Sequence, residues 1–180
     1  MLDGLVKIIP DVFQDQRGYF LEGWNEKKLN DYLGKKLIFT QDNISKSKKD
    51  VIRGLHYQIQ PLAQTKLVRC IAGSVFDVAV DIRKDSKTFG QWAGIELSEK
   101  NNFQLLVPEG YAHGFLSLEN NSILYYKVTN KWDKNLERAL IWNDPKINIL
   151  WPLRNIPLMN TKDKEAISLD LAIDSGDIFL

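Results

Sequence analysis

Between residues 74 and 83 the chain reads "SVFDVAVDIR", and its bulky apolar side chains recur at every second position. Phe76, Val78, Val80 and Ile82 fall on one side of an extended strand, with Asp77, Ala79 and Asp81 on the other. A period of two belongs to a β-strand, whose successive side chains point to opposite faces. The same signature returns in "LIFTQDNIS" (37–45), where Leu37, Phe39, Gln41 and Asn43 share a face. Further strands are expected in "FQLLVP" (103–108), "SILYYKVT" (122–129) and "RALIW" (138–142). Turn formers separate these segments: Gly73, Asp85-Ser86, Ser98-Glu99-Lys100-Asn101, Glu119-Asn120-Asn121 and Asp144-Pro145. Many short strands at this spacing predict a mainly β chain folded as a sandwich or barrel. Helices are few. Asn25 can cap one that carries the stripe Leu29, Tyr32 and Leu33 and stops at Gly34, and Asn160 of "NTKD" can cap another.

The length of 180 residues, with no repeat, linker or low-complexity segment, predicts one domain over residues 1–180. With 24 basic and 23 acidic side chains the net charge is +1, so charge gives no reason to expect a nucleic-acid or membrane partner. The single cysteine, Cys70, lies in the apolar run "KLVRCIAG" and reads as a buried strand thiol rather than a nucleophile. The opening "MLDGLVKIIPDVFQD" has no signal-peptide pattern and no apolar run is long enough to span a bilayer, so a cytoplasmic location is expected. No glycine-rich nucleotide loop, CxxC, HExxH or GxSxG elbow is present.

Histidine is scarce. His56 lies in "RGLHYQ" and His113 in "PEGYAH". The latter has the form P-x-G-x-x-H and resembles the second motif of the cupin jelly-roll barrels. In metal-binding cupins a first motif supplies a close pair of histidines and a downstream Glu. Here "LHYQ" has one histidine, with Gln58 in the second place. A catalytic metal needs about three protein ligands, so no metal is expected and His56 is left for acid–base work. Its polar neighbours, on a strand that should otherwise be apolar, favour that role over a structural one.

"DQRGYFLEGWN" (15–25), "TQDNISKSKKDVIRGLHYQ" (40–58), "KLVRCIAGSVFDVAVDIRKDSKTFGQW" (66–92), "LLVPEGYAHGF" (105–115), "YKVTNKW" (126–132) and "IWNDPKINILWP" (141–152) together resemble the dTDP-4-dehydrorhamnose 3,5-epimerase family. The likeness runs in order over nearly the whole chain. It implies a cupin-like jelly-roll β-barrel or sandwich with a few short peripheral helices. It also implies a nucleotide-sugar substrate, no cofactor and a homodimer in which segments near Arg17 complete the neighbour's site and the apolar face of 76–82 is free to pack against the partner chain.

The implied chemistry begins with a ketone at C4, which makes the hydrogens on C3 and C5 acidic. Inversion needs a base on one face, an acid on the other and a positive group for the enolate oxygen. By resemblance His56 is the base, since imidazole titrates near neutral pH, and Asp163 orients it and stabilises its charged form. Tyr126 is the proton donor. Period two sends Tyr125 and Tyr126 to opposite faces, so only one of them points inward. Lys66 is the cation near the enolate. Arg17 and Arg53 hold the diphosphate, for which guanidinium is suited. Glu22, Gln41 and Asn43 match positions near base or ribose, and Trp132 falls where relatives place a ring that stacks on the base. His113, Glu137 and Lys162 match further substrate contacts. Two other readings stand beside this one: a relative that inverts a single carbon or takes another sugar, and a non-catalytic cupin that only binds a nucleotide sugar. A combined acid and base argues against the binder.

Overall fold

Strand β7 (Ser74–Asp81), the segment with the strongest alternation, is buried on both faces, and the two layers built around it define the molecule. The computed structural model describes residues 2–179. The remaining strands are β1 (Val6–Ile8), β2 (Val12–Asp15), β3 (Gly18–Leu21), β4 (Gln41–Ser47), β5 (Ile52–Gln58), β6 (Lys66–Ala72), β8 (Trp92–Ser98), β9 (Gln104–Val107), β10 (Tyr111–Ser117), β11 (Ser122–Val128) and β12 (Glu137–Ala139). Helices α1 (Glu26–Leu33), α2 (Thr161–Lys164) and α3 (Leu169–Asp174) complete it. One five-stranded sheet has the order β1-β9-β6-β11-β4 and the other β12-β5-β10-β7-β8, and all the pairings are antiparallel. β2 and β3 form a separate hairpin.

The core between the sheets joins Val68, Cys70, Leu105 and Leu124 to Val75, Ala79, Leu97 and Phe115. Burying an aliphatic side chain of this size contributes about 1.5–3 kcal/mol, which makes this seam the main support of the sandwich. On the outer face of the second sheet Val78, Val80 and Ile82 pack on Leu140, Ile147, Ile149, Leu169 and Ala172. The face of 76–82 offered to a partner chain in the sequence reading is thus covered by the chain's own C-terminal segment.

α1 follows its sequence signals. The Asn25 side chain accepts from Lys28 N–H, Gly34 ends the helix at φ 63°, and Leu29 packs on Leu67 and Leu106. Tyr32 leaves the expected stripe and is exposed. The predicted strand 37–45 begins only at Gln41, because Leu37 and Phe39 pack under α1 instead of pairing in a sheet. Cys70 is buried, and burial raises its thiol to about 11, as suits a packing thiol. No helix of the described residues is long and apolar enough to cross a membrane.

Candidate active site

The local fold of "RGLHYQ" decides where His56 points. Along β10, His113 pairs with His56 and Phe115 with Arg53, so three steps on β5 match two on β10. This bulge turns both Arg53 and His56 into one cleft, which strict alternation would forbid. Gly54, at φ +120°, makes the bulge possible: a Cβ there would stand 2.6 Å from the Gly114 Cα. Its N–H donates to Asp163 Oδ2 at 3.2 Å.

The cleft, of about 460 Å³, opens between the two sheets. From β5 comes His56, whose Nε2 is 2.7 Å from Asp163 Oδ1. Asp163 is 1% exposed and is delivered by α2, where the Asn160 side chain accepts from its N–H at 2.7 Å. Burial disfavours its charge, but the His56 contact and the Gly54 N–H outweigh that and hold its pKa below the usual carboxylate value. The carboxylate therefore stays ionised beside the imidazole.

Facing this pair, on the other sheet, are Tyr126 of β11 and Lys66 of β6. Tyr125 points the other way, to Asp42, as the alternation required. Burial raises the Tyr126 pKa, with Arg53 opposing, so its phenol remains protonated. Lys66 is 6% exposed and its Nζ donates to His56 O at 2.9 Å. Burial brings its ammonium down to about 8, with Asp77 and Glu137 partly offsetting the shift.

Arg53 lines the same cleft, tied to Ser47 Oγ at 3.1 Å and Lys46 O at 3.2 Å. Gln41, Asn43, His113, Trp132 and Glu137 also line it. Lys162 reaches its edge through an ion pair with Glu137. Burial works against the Glu137 charge, but the Lys162 and Trp132 side chains keep its pKa below the ordinary value. Arg17 and Glu22 are not brought into this cleft. Arg17 stands exposed at the tip of the β2–β3 hairpin, bound to Asp15 at 2.5 Å. Glu22 pairs with Lys28 at 2.8 Å and lines a second cavity, of about 500 Å³, between the hairpin and α1.

Sequence reasoning left Asp77 and Gln64 outside the site. Asp77, fully buried, contacts His113 Nε2 through both oxygens at 2.9 and 3.0 Å. The alternation of 74–83 set it on the face opposite Phe76, Val78, Val80 and Ile82, which was the available signal. Gln64 lies on a loop and left none. Among the described residues no group of three or more His, Cys, Asp or Glu side chains is arranged to hold a metal. Gln58, at the place of the missing cupin histidine, is occupied with loop backbone instead.

Comparison with known proteins agrees with this geometry. The profile of the dTDP-4-dehydrorhamnose 3,5-epimerase family matches residues 1–170. A dTDP-4-dehydrorhamnose 3,5-epimerase of Shigella flexneri is 54% identical over 86% of this chain and 84% of its own. A Legionella pneumophila dTDP-6-deoxy-D-glucose-3,5-epimerase, solved with dTDP-4-keto-L-rhamnose, superimposes with a TM-score of 0.95 at 43% identity, covering 99% of this chain and 94% of that one. A 3'-monoepimerase of Streptomyces bikiniensis, solved with dTDP-quinovose, has a TM-score of 0.93 at 29% identity over 98% and 89% of the two chains. With the cupin-like sandwich shared across these structures, the chain belongs to the dTDP-4-dehydrorhamnose 3,5-epimerase family and is an isomerase.

Proposed function

We propose that the protein inverts C3 and C5 of dTDP-4-dehydro-6-deoxy-D-glucose to give dTDP-4-dehydro-L-rhamnose, a step of dTDP-L-rhamnose biosynthesis. The observation that carries this reading is the His56–Asp163 pair, 2.7 Å apart, with His56 on one sheet and Asp163 on α2, facing Tyr126 and Lys66 on the other sheet. His56 takes the proton from the carbon beside the C4 ketone, and the ionised Asp163 steadies the imidazolium that forms. Lys66 supplies positive charge to the enolate oxygen. Tyr126, kept protonated by burial, returns a proton from the opposite face. No step in this sequence changes an oxidation state, so the chain's own side chains suffice for it.

Arg53 holds the diphosphate and Trp132 stacks on the base, with Gln41, Asn43, His113, Glu137 and Lys162 as further contacts. Arg17 and Glu22 belong to the same reading only through a homodimer. All four residues of β2 are exposed, as are Phe13 and Phe20, and the hairpin pairs with no other strand among the described residues. Ile44 and Ile71 stand exposed on the outer face of the first sheet. These surfaces, not residues 76–82, meet the second copy, and the hairpin brings Arg17 to its neighbour's cleft. A cytoplasmic site of action completes the proposal.

The test is incubation with dTDP-4-keto-6-deoxyglucose in deuterated water, followed by NMR. Label at C3 and C5 is expected. Label at one carbon identifies a monoepimerase, and label at neither identifies a binder. His56→Ala is expected to lower exchange at both carbons by about a hundredfold or more while dTDP affinity survives. Ordinary turnover in that variant would remove His56 as the base.

A further inference from the structure

Gln58 ends β5 in the wall of the cleft and is 2% exposed. All its hydrogen-bonding capacity goes to loop backbone. Its Nε2 donates to Leu62 O at 2.7 Å and Lys131 O at 3.2 Å, and its Oε1 accepts from Asp133 N–H at 2.6 Å. Lys131 and Asp133 flank Trp132, whose own N–H donates to Gln41 Oε1 at 3.1 Å. Each of these three consecutive residues is thus held through its backbone by a side-chain amide, Gln58 reaching from one sheet and Gln41 from the other. The Trp132 ring is 53% exposed at the cleft rim. A ring so exposed gains little hold from packing, so its place is set by the backbone beneath it together with the Glu137 carboxylate that its side chain meets.

We propose that Gln58 is a positioning residue that fixes the Trp132 ring over the cleft mouth and so sets affinity for the nucleotide half of the substrate. The role rests on the nucleotide-sugar reading above. Only a carboxamide combines two N–H donors with a carbonyl acceptor in one short planar group. That is what two carbonyls and one N–H from separate loop residues require. A carboxylate would leave both carbonyls without a donor, and an imidazole at this place offers too few groups. Gln58 acts on binding rather than on the proton transfers, since its polar atoms are all engaged with loop backbone.

The experiment compares the wild-type chain with Gln58→Met, Trp132→Ala and the double variant. It uses calorimetric titration of dTDP and steady-state kinetics on the nucleotide sugar. Gln58→Met is expected to weaken dTDP binding about tenfold and raise KM to match, with kcat held within about twofold and the pH profile unmoved. Trp132→Ala should weaken binding similarly, and the double variant should bind no worse than Trp132→Ala, because both changes remove the same contact. A merely structural role would lower the active fraction, which scales kcat and leaves KM alone. Unchanged dTDP affinity in Gln58→Met, a fall in kcat at constant KM, or losses that multiply in the double variant would each overturn the proposal. If Gln58→Met does not fold, Gln58→Glu keeps the acceptor for Asp133, loses the donors to Leu62 and Lys131, and reads the same quantity. Failure of the wild-type chain to bind dTDP would remove the nucleotide reading and this role together. Wild-type binding with an unaffected Gln58 variant removes the Gln58 role alone.

Discussion

Lys66 links the two sides of the cleft, since its ammonium donates to the main chain of His56 while facing the space that Tyr126 lines. Burial lowers its pKa from 10.5 to about 8, which gives activity and stability opposite responses to alkali. As pH rises through about 8 the proposed enolate would lose its cation, and kcat/KM is expected to fall. Between about 8 and 10.5 the unfolded chain binds the Lys66 proton that the folded chain has released, so this group's contribution to stability rises with pH. Rate and urea midpoint measured across that window should therefore diverge; a parallel fall would show that the Lys66 charge is not the controlling group. Tyr126→Phe separates the two proton transfers, since a proton still leaves toward His56 while its return from the far face is impaired. Loss of substrate hydrogen to solvent should persist while net inversion drops about a hundredfold, as read by NMR. What the sequence told at this scale is uneven. The Tyr125–Tyr126 alternation correctly predicted that only one ring faces inward, and the family likeness, not the alternation, pointed to Tyr126. Asp163, by its local pattern, reads as the acid of a helix start. Its buried contact with His56 spans 107 positions and leaves no local trace.

The bulge in β5 is the element on which the site depends. Gly54→Ala would force a Cβ to within 2.7 Å of His113 O as well as against Gly114, at a backbone angle that side chains rarely adopt. The expected cost is about 2–4 kcal/mol, seen as a lowered melting temperature. Activity should fall further than the loss of folded chain explains, because Gly54 N–H also holds Asp163. Activity that tracks the folded fraction alone would show that the bulge is scaffold only. Elements were legible where the sequence carried a complete local code. Asn25 and Gly34 bounded α1, and Asn160 marked α2. The code misled at 37–40, where Leu37 and Phe39 alternate like a strand but serve the underside of α1. Period two reports which side chains share a face, and an adjacent strand is still needed to make a sheet.

For the molecule as a whole, the alternation in β7 correctly divided its faces but could not name what covers them. The face with Val78, Val80 and Ile82 meets the chain's own distant residues. The proposed homodimer then makes a sharp prediction. If the hairpin supplies Arg17 to the opposite cleft, Arg17→Ala and His56→Ala are each impaired alone. Mixed after unfolding and refolding, they yield hybrids in which one cleft has a sound His56 and a sound Arg17. Roughly half of the hybrid clefts should regain full turnover, following closed two-fold pairing. Activity of the mixture no greater than the average of the separate variants would place Arg17 outside the partner's site. The C-terminal stretch has a consequence for how the protein is made. Residues 158–179 supply the β-bridge from Leu158 to Val51, the Asp163 carboxylate and the Leu169–Ala172 cover. A chain that has not yet synthesised this stretch therefore lacks the carboxylate that meets the His56 imidazole and the cover for Val78 and Val80. The carboxylate that meets the imidazole and the cover of that sheet face therefore come from one stretch of chain and arrive together.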